Sequence, residues 1–422
     1  MIEKASTNVG TTIILDSTAA TEVAAVGIWY NFGSRDENEL LQGSTHFIEH
    51  MLFKGTSCRT PFQVAQGIDR LGGQINAATE RECVYFFSSV PVESFDFAAE
   101  ILIDIINDAS FMLEDFEKER IVIENELVAA EDDPEEHAVE IFYERLWGNH
   151  PLARKIGGTI SSLANLKHEE IFGVYTNQFR GRPPLVTLAG DISMDHALGL
   201  FSGKFHKPFD RTQRIKPNIP YLGAPYYQSA SHQHIQIFCS FNSYFKISTS
   251  DYYALLIANT ALGDSMSSRL FQTLREKLGL CYNINSMPSF FSDLTEWTIY
   301  ASTTHETISQ FIDALSDELH SIFEFGLTDV EIQDARYHLI GSMKFDAIDI
   351  EYRMHRIAHQ WLSGSNPISM KESVELLDAL TPREVNSIIE RFMCGGAIIF
   401  GVGPARAKSA FCKAAQNLVT IF

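Results

Sequence analysis

The chain repeats itself. Ile68-Asp69-Arg70-Leu71-Gly72 has a counterpart in Arg275-Glu276-Lys277-Leu278-Gly279, displaced by 278 − 71 = 207 residues. Leu113-Glu114-Asp115-Phe116-Glu117 pairs with Leu327-Thr328-Asp329-Val330-Glu331 at 327 − 113 = 214, and Leu166-Lys167-His168-Glu169-Glu170 pairs with Leu380-Thr381-Pro382-Arg383-Glu384 at 380 − 166 = 214. A length of 422 residues holds two copies of one domain, each large enough to bury its own core. In each copy, period-2 strands such as Ala24 to Phe32 and Ile235 to Phe241 precede long helical patterns. The expected fold is therefore α+β: two duplicated α/β-layer domains, residues 1–203 and 229–422. The segment between them, 204–228, carries Pro208, Pro217, Pro220 and Pro225 and reads as a semi-rigid linker.

Charge and cysteine usage narrow the class. A net charge of −21 argues against nucleic acid, whose phosphates demand the opposite sign. Acidic walls around a cleft would instead concentrate cationic peptides. Glu80, Glu82 and the Glu131-Asp132-Asp133-Pro134-Glu135-Glu136 run are candidates for such a wall, with a solvated loop the plainer reading of the run. No apolar stretch approaches the ~18 residues that span a bilayer, and Met1-Ile2-Glu3-Lys4-Ala5-Ser6 resembles neither a secretory signal nor an Arg-rich presequence. The expectation is a cytoplasmic protein with no membrane partner. Six cysteines without C-x-x-C spacing fit reduced thiols better than a disulfide framework.

Chemistry concentrates in His46-Phe47-Ile48-Glu49-His50. On a helix, which Phe47, Ile48, Met51, Leu52 and Phe53 favour, two imidazoles four apart share one face and can hold one zinc ion. Glu49 sits beside that face, placed to accept a proton without being a ligand. The H-x-x-E-H order is a zinc peptidase signature. Such a site wants a third protein ligand and an open position. Phe116 to Ala130 reads as a second amphipathic helix with Glu119, Glu124 and Glu126. At about 100° per residue, Glu119 and Glu126 point nearly the same way and Glu124 points off that face. Glu126 is the expected third ligand, Glu119 a neighbour that positions a histidine or tunes the metal, and Glu124 a solvated residue. A closed structural zinc site would need a fourth ligand, for which only Cys58 stands near.

In these residues the chain resembles the zinc peptidases that include pitrilysin, insulysin and the mitochondrial processing peptidases. That family's H-x-x-E-H is followed some 76 residues later by a glutamate, with another glutamate seven residues before it. Here the separations are 126 − 50 = 76 and 126 − 119 = 7. Gly43 to Thr56, Gly72-Gly73-Gln74-Ile75-Asn76-Ala77 and His150-Pro151-Leu152 also match. The resemblance implies half of a clamshell and a zinc endopeptidase that hydrolyses unfolded peptides. It implies one Zn2+ per chain on His46, His50 and Glu126, with Glu49 as general base. It further implies that Arg275 and Tyr282, seven apart, complete the site from the second copy, and that Asn76 and Ala77 on an edge strand bind the peptide backbone. Such a half should pair with a second copy or a related subunit; with the zinc set and the Arg/Tyr pair both in one chain, a homodimer is the expectation. Some members of the family serve as non-catalytic partners or structural subunits, a reading that needs a damaged zinc motif, and this motif is intact.

Overall fold

The apolar run Val23–Tyr30 is buried along all but its first residue, as a strand covered on both faces must be. It lies inside a six-stranded sheet in the computed structural model, which describes residues 1–19, 21–180, 182–205, 214, 225–241 and 244–419. The strands are β1 (Ile2–Ser6), β2 (Thr12–Ser17), β3 (Val23–Tyr30), β4 (Gln74–Thr79), β5 (Val84–Pro91) and β6 (Leu185–Gly190), in the order β1-β2-β6-β3-β5-β4. Only β2 and β6 run parallel; the other neighbours are antiparallel.

The chain forms two compact units. Unit 1 gathers Met1–Asp132, Tyr143–Asn218 and Asp346–Ser369, and unit 2 gathers Asp133–Phe142, Ile219–Phe345 and Met370–Phe422. Each unit thus draws segments from both sides of the 204–228 stretch. Most of that proline-rich stretch lies outside the described residues; Arg214, which is described, makes a two-pronged ion pair with Asp36 at 2.8 and 2.7 Å.

Pleating divides the unit 1 sheet between two cores. On one face Ile13, Leu15, Val26, Ile28, Val84 and Phe86 pack with helix α1 (Ser44–Leu52) and helix α3 (Phe95–Asp108), α2 being Pro61–Asp69. On the other, Ile14, Ala25, Trp29, Leu185 and Ala189 meet Ile350, Met354, Ile357 and Ala358 of the helix Ile350–Leu362. Burying a side chain of this size contributes roughly 1.5–3 kcal/mol, so the second helix is part of the unit and not a lid on it. Helix α4 spans Leu113–Asp132 and α5 spans Pro134–Trp147. The acidic run 131–136 is therefore a helix junction and not a loop: Asp133 Oδ1 accepts the backbone N–H groups of Glu135 and Glu136, capping α5.

Unit 2 holds β7 (Tyr226–Ser229), β8 (Ile235–Phe241), β9 (Asn283–Phe290), β10 (Thr295–Thr303) and β11 (Ala397–Gly403), in the order β7-β11-β8-β10-β9. One face is covered by α5 residues, with Phe142 stacked on Phe238 at 4.7 Å and set edge-on to Phe400 at 5.2 Å.

Candidate metal centre

Helix α1 presents its apolar residues Phe47, Ile48, Met51 and Leu52 to the core, which turns His46, Glu49 and His50 outward on the remaining arc. Helix α4 is docked beside it by the Phe47–Phe116 ring stack at 4.4 Å. The Arg120 guanidinium pins α4 further, donating to the carbonyls of Leu163 and Leu166. This fixes which turn of α4 faces the histidines.

The consequence is a convergence of three ligand atoms. Glu126 Oε2 lies 3.4 Å from His50 Nε2 and 4.0 Å from His46 Nε2, and the three residues' ligand atoms all fall within 4.8 Å of one another. Zinc binds such donors at about 2.0–2.2 Å, so ligand atoms about 3.3–4 Å apart can share one ion with little movement. Two imidazoles and the half-exposed Glu126 carboxylate offer three donors, the number found in zinc sites that keep a further position open. Among the described residues no other cluster of three or more potential ligands occurs, and Cys58 is not part of this one.

The surrounding contacts suit metal binding. His50 Nδ1 lies 3.1 Å from Glu119 Oε2; a carboxylate only accepts, so Nδ1 carries the proton and Nε2 keeps its lone pair for the metal. Glu119 is buried, and its second oxygen takes the Lys54 ammonium at 2.7 Å. Burial, then the neighbouring His50, pushes the His46 imidazole down to about 4, holding it in the neutral form that a ligand must have. Behind His46 the chain runs close: a Cβ on Gly157 would fall 2.9 Å from Leu127 and 3.6 Å from His46 Nδ1. Glycine there lets the backbone close over the ring.

Glu49 points into the same space without joining the three. The Thr79 hydroxyl donates to Glu49 Oε2. Burial raises the Glu49 carboxyl above the usual range; the Thr79 bond and His50 oppose this, while Glu126 adds to it. A carboxylate raised in this way is a better proton acceptor near neutral pH. Thr79 was not singled out by the sequence as a site residue, because nothing in its local pattern reveals a contact 30 residues away.

The other anticipated residues are placed as follows. Among the described residues β4 pairs only with β5 and forms the end of its sheet, so Asn76 and Ala77 sit on an edge strand, where the Ala77 N–H is taken by Asn76 Oδ1 at 2.9 Å. In unit 2, Arg275 lies with its guanidinium 4.5 Å from the Phe271 ring centre and 5.8 Å from that of Tyr282, whose side chain is 81% exposed. Arg269, the alternative arginine, is committed to Glu331 by bonds of 2.7 and 2.8 Å.

The chain is similar to known proteins in sequence and in fold. Residues 12–160 match the sequence profile described as insulinase (peptidase family M16), and residues 165–339 that of the peptidase M16 inactive domain. An uncharacterized zinc protease of Mycobacterium leprae is 27% identical over 421 residues, spanning 97% of this chain and 93% of its own. The uncharacterized zinc protease YmxG of Bacillus subtilis is 27% identical over 390 residues, spanning 92% and 95%. The crystal structure of a peptidase M16 inactive domain from Pseudomonas fluorescens superposes with a TM-score of 0.86 at 17% identity, covering 96% of this chain and 98% of that one. At that identity the likeness speaks for the fold alone. Among the described residues no helix is long and apolar enough to cross a membrane.

Proposed function

The chain belongs to the insulinase-like peptidase family M16, and from that premise we propose that it is a zinc-dependent endopeptidase acting on unfolded peptides or small polypeptides. The observation that carries the reading is the convergence of His46 Nε2, His50 Nε2 and Glu126 Oε2 beside the carboxylate of Glu49. Those three residues would hold the ion. Zinc bound there supplies a Lewis acid that polarises the scissile carbonyl and makes water a competent nucleophile near neutral pH.

Glu49 takes the proton from the attacking water and passes it to the leaving amide nitrogen; the Thr79 hydroxyl on Oε2 holds the carboxylate so that Oε1 faces the water. Glu119 keeps the His50 proton on Nδ1. The substrate backbone adds as a strand to β4 at Asn76 and Ala77, which gives affinity with little dependence on sequence. Tyr282 donates a hydrogen bond to the developing oxyanion and Arg275 holds a neighbouring carbonyl. Two chains, each half of a clamshell, close the chamber as a cytoplasmic homodimer, and the acidic balance favours basic peptides.

The test is metal analysis of the purified protein together with hydrolysis of a quenched lysine-rich peptide, each repeated after chelation and zinc return. One zinc per chain and chelator-sensitive, zinc-restored hydrolysis are expected. A protein that holds zinc tightly yet cleaves nothing would demote the site to a structural one. Added salt should slow the basic peptide much more than a neutral one of equal length; equal slowing would leave the charge as a solubility feature.

A further inference from the structure

Helix α1, which carries both histidines and Glu49, begins in an unusual way. Its N-cap is Gly43, at φ +86°, which has no side chain to offer the first turn. The first N–H groups of any helix need an acceptor from elsewhere, usually a Ser, Thr, Asn or Asp at the cap. Here the acceptor comes from six residues upstream of the cap. Glu37, 5% exposed, receives the Gly43 N–H on Oε2 at 2.8 Å and the Thr45 N–H on Oε1 at 2.7 Å, with the Ser44 hydroxyl 3.3 Å from Oε1.

Glu37 is itself held: the Arg154 guanidinium donates to its carbonyl oxygen. Gly43 is held from the other side, since a Cβ there would fall 2.6 Å from the Gly157 carbonyl oxygen. The first turn of α1 is thus clamped between a buried carboxylate and the Gly157 backbone. His46 projects from that turn, one residue after Thr45.

We propose that Glu37 is a positioning residue for the metal centre, setting the first turn of α1 so that His46 Nε2 meets His50 Nε2 and Glu126 Oε2 at the spacing one ion requires. The inference rests on the zinc reading of the site. Neither Glu37 nor its carboxylate touches the reacting atoms. Its carboxylate also lies at the positive end of the helix dipole, which favours the ionised form there, while burial pushes the group up to about 7.

The experiment is zinc affinity of the metal-free chain, measured by competition with a chromophoric chelator, for wild type, His46→Ala, Glu37→Gln and Glu37→Asp. In Glu37→Gln one oxygen becomes an NH2 facing a backbone N–H, so the turn loses an anchor without losing volume. We expect zinc to bind about tenfold more weakly, the low end of the effect of losing a contact made directly to a ligand, because Glu37 acts through the backbone of the turn that carries His46. Glu37→Asp, which keeps the charge but cannot span both N–H groups, should fall between the two. A merely structural role would lower the melting temperature of the metal-free protein and leave the zinc affinity where it was, and that result would overturn the proposal. Should Glu37→Gln not fold, the affinity of Glu37→Asp decides by the same comparison. Wild type binding zinc no better than His46→Ala would instead sink the metal reading itself, a distinct outcome.

Discussion

The two units share one plan and differ in one use of it. The parallel pair β2–β6 recurs as β7–β11, and the antiparallel succession β6-β3-β5-β4 recurs as β11-β8-β10-β9. Arg120 donates to the Leu166 carbonyl as Arg336 donates to that of Leu380, which aligns α4 with the helix Asp329–Asp346 at 336 − 120 = 216. At that offset the buried Phe116 corresponds to the buried Ile332, whereas Glu119 and Glu126 correspond to Ala335 and Ser342. The fold therefore does not need the carboxylates. What recurs in both units is packing and the arginine anchor; among the described residues, the cluster of His46, His50 and Glu126 occurs in unit 1 alone.

The sharpest way to break this contrast is to remove the base. Glu49→Gln should lower hydrolysis by about 10²–10⁴-fold while zinc stays bound, since Glu49 is outside the ligand cluster. Loss of zinc in that variant, read by elemental analysis, would make Glu49 a ligand.

Metal content tests the helix alignment. Glu126→Gln should release or loosen zinc and Glu119→Gln should weaken its binding by about 10–100-fold. Glu124→Gln, and Ser342→Ala in unit 2, should do neither. Zinc lowered by Glu124→Gln but untouched by Glu126→Gln would reverse the face of α4 assigned to the site.

Mixing variants asks whether unit 2 of one chain serves unit 1 of another. Glu49→Gln and Tyr282→Phe homodimers should both be nearly inactive, yet co-expression should restore roughly a quarter of wild-type activity if pairing is random and two-fold symmetric. No recovery, with mixed dimers demonstrated, would confine the Tyr282 role to its own chain or abolish it.

The smallest effect expected is on acid stability. The outer face of the unit 2 sheet is covered by Phe142, but that of unit 1 meets His355, whose ring lies 5.1 Å from Trp29. Burial, then His359, pushes His355 down to about 4, with Asp349 opposing. The unfolded chain therefore binds this proton first, near pH 6.5, and stability is lost as pH falls from about 6.5 toward 4. Thermal melts across that window should drop less for His355→Phe than for wild type, by about a few degrees. Parallel curves would mean that the shift has no weight in stability.

Part of this was legible because it is local. Helical periodicity alone places His46, Glu49 and His50 on one arc and separates Glu126 from Glu124. The duplication was visible too, though its register was not. Pairing Leu113 with Leu327 at an offset of 214 matches a residue 59% exposed with one 3% exposed; the helices align two residues further on. A short identity such as Leu-x-Asp can fall out of register by chance, while the alignment in space follows burial and the anchoring arginine.

What the chain determined by itself is what a single turn or a single spacing can encode: the helix face that carries His46 and His50, the carboxylate of Glu49 beside it, and two copies of a layered domain. Tertiary packing decided the rest. Glu37 meets α1 from six residues before its cap, Thr79 reaches Glu49 across 30 residues, Lys54 pairs with Glu119, and the helix Ile350–Leu362 closes the back of a sheet that begins at Ile2. Such contacts depend on which surfaces pack together, because hydrogen bonds and buried charges have steep distance requirements but no sequence period to announce them.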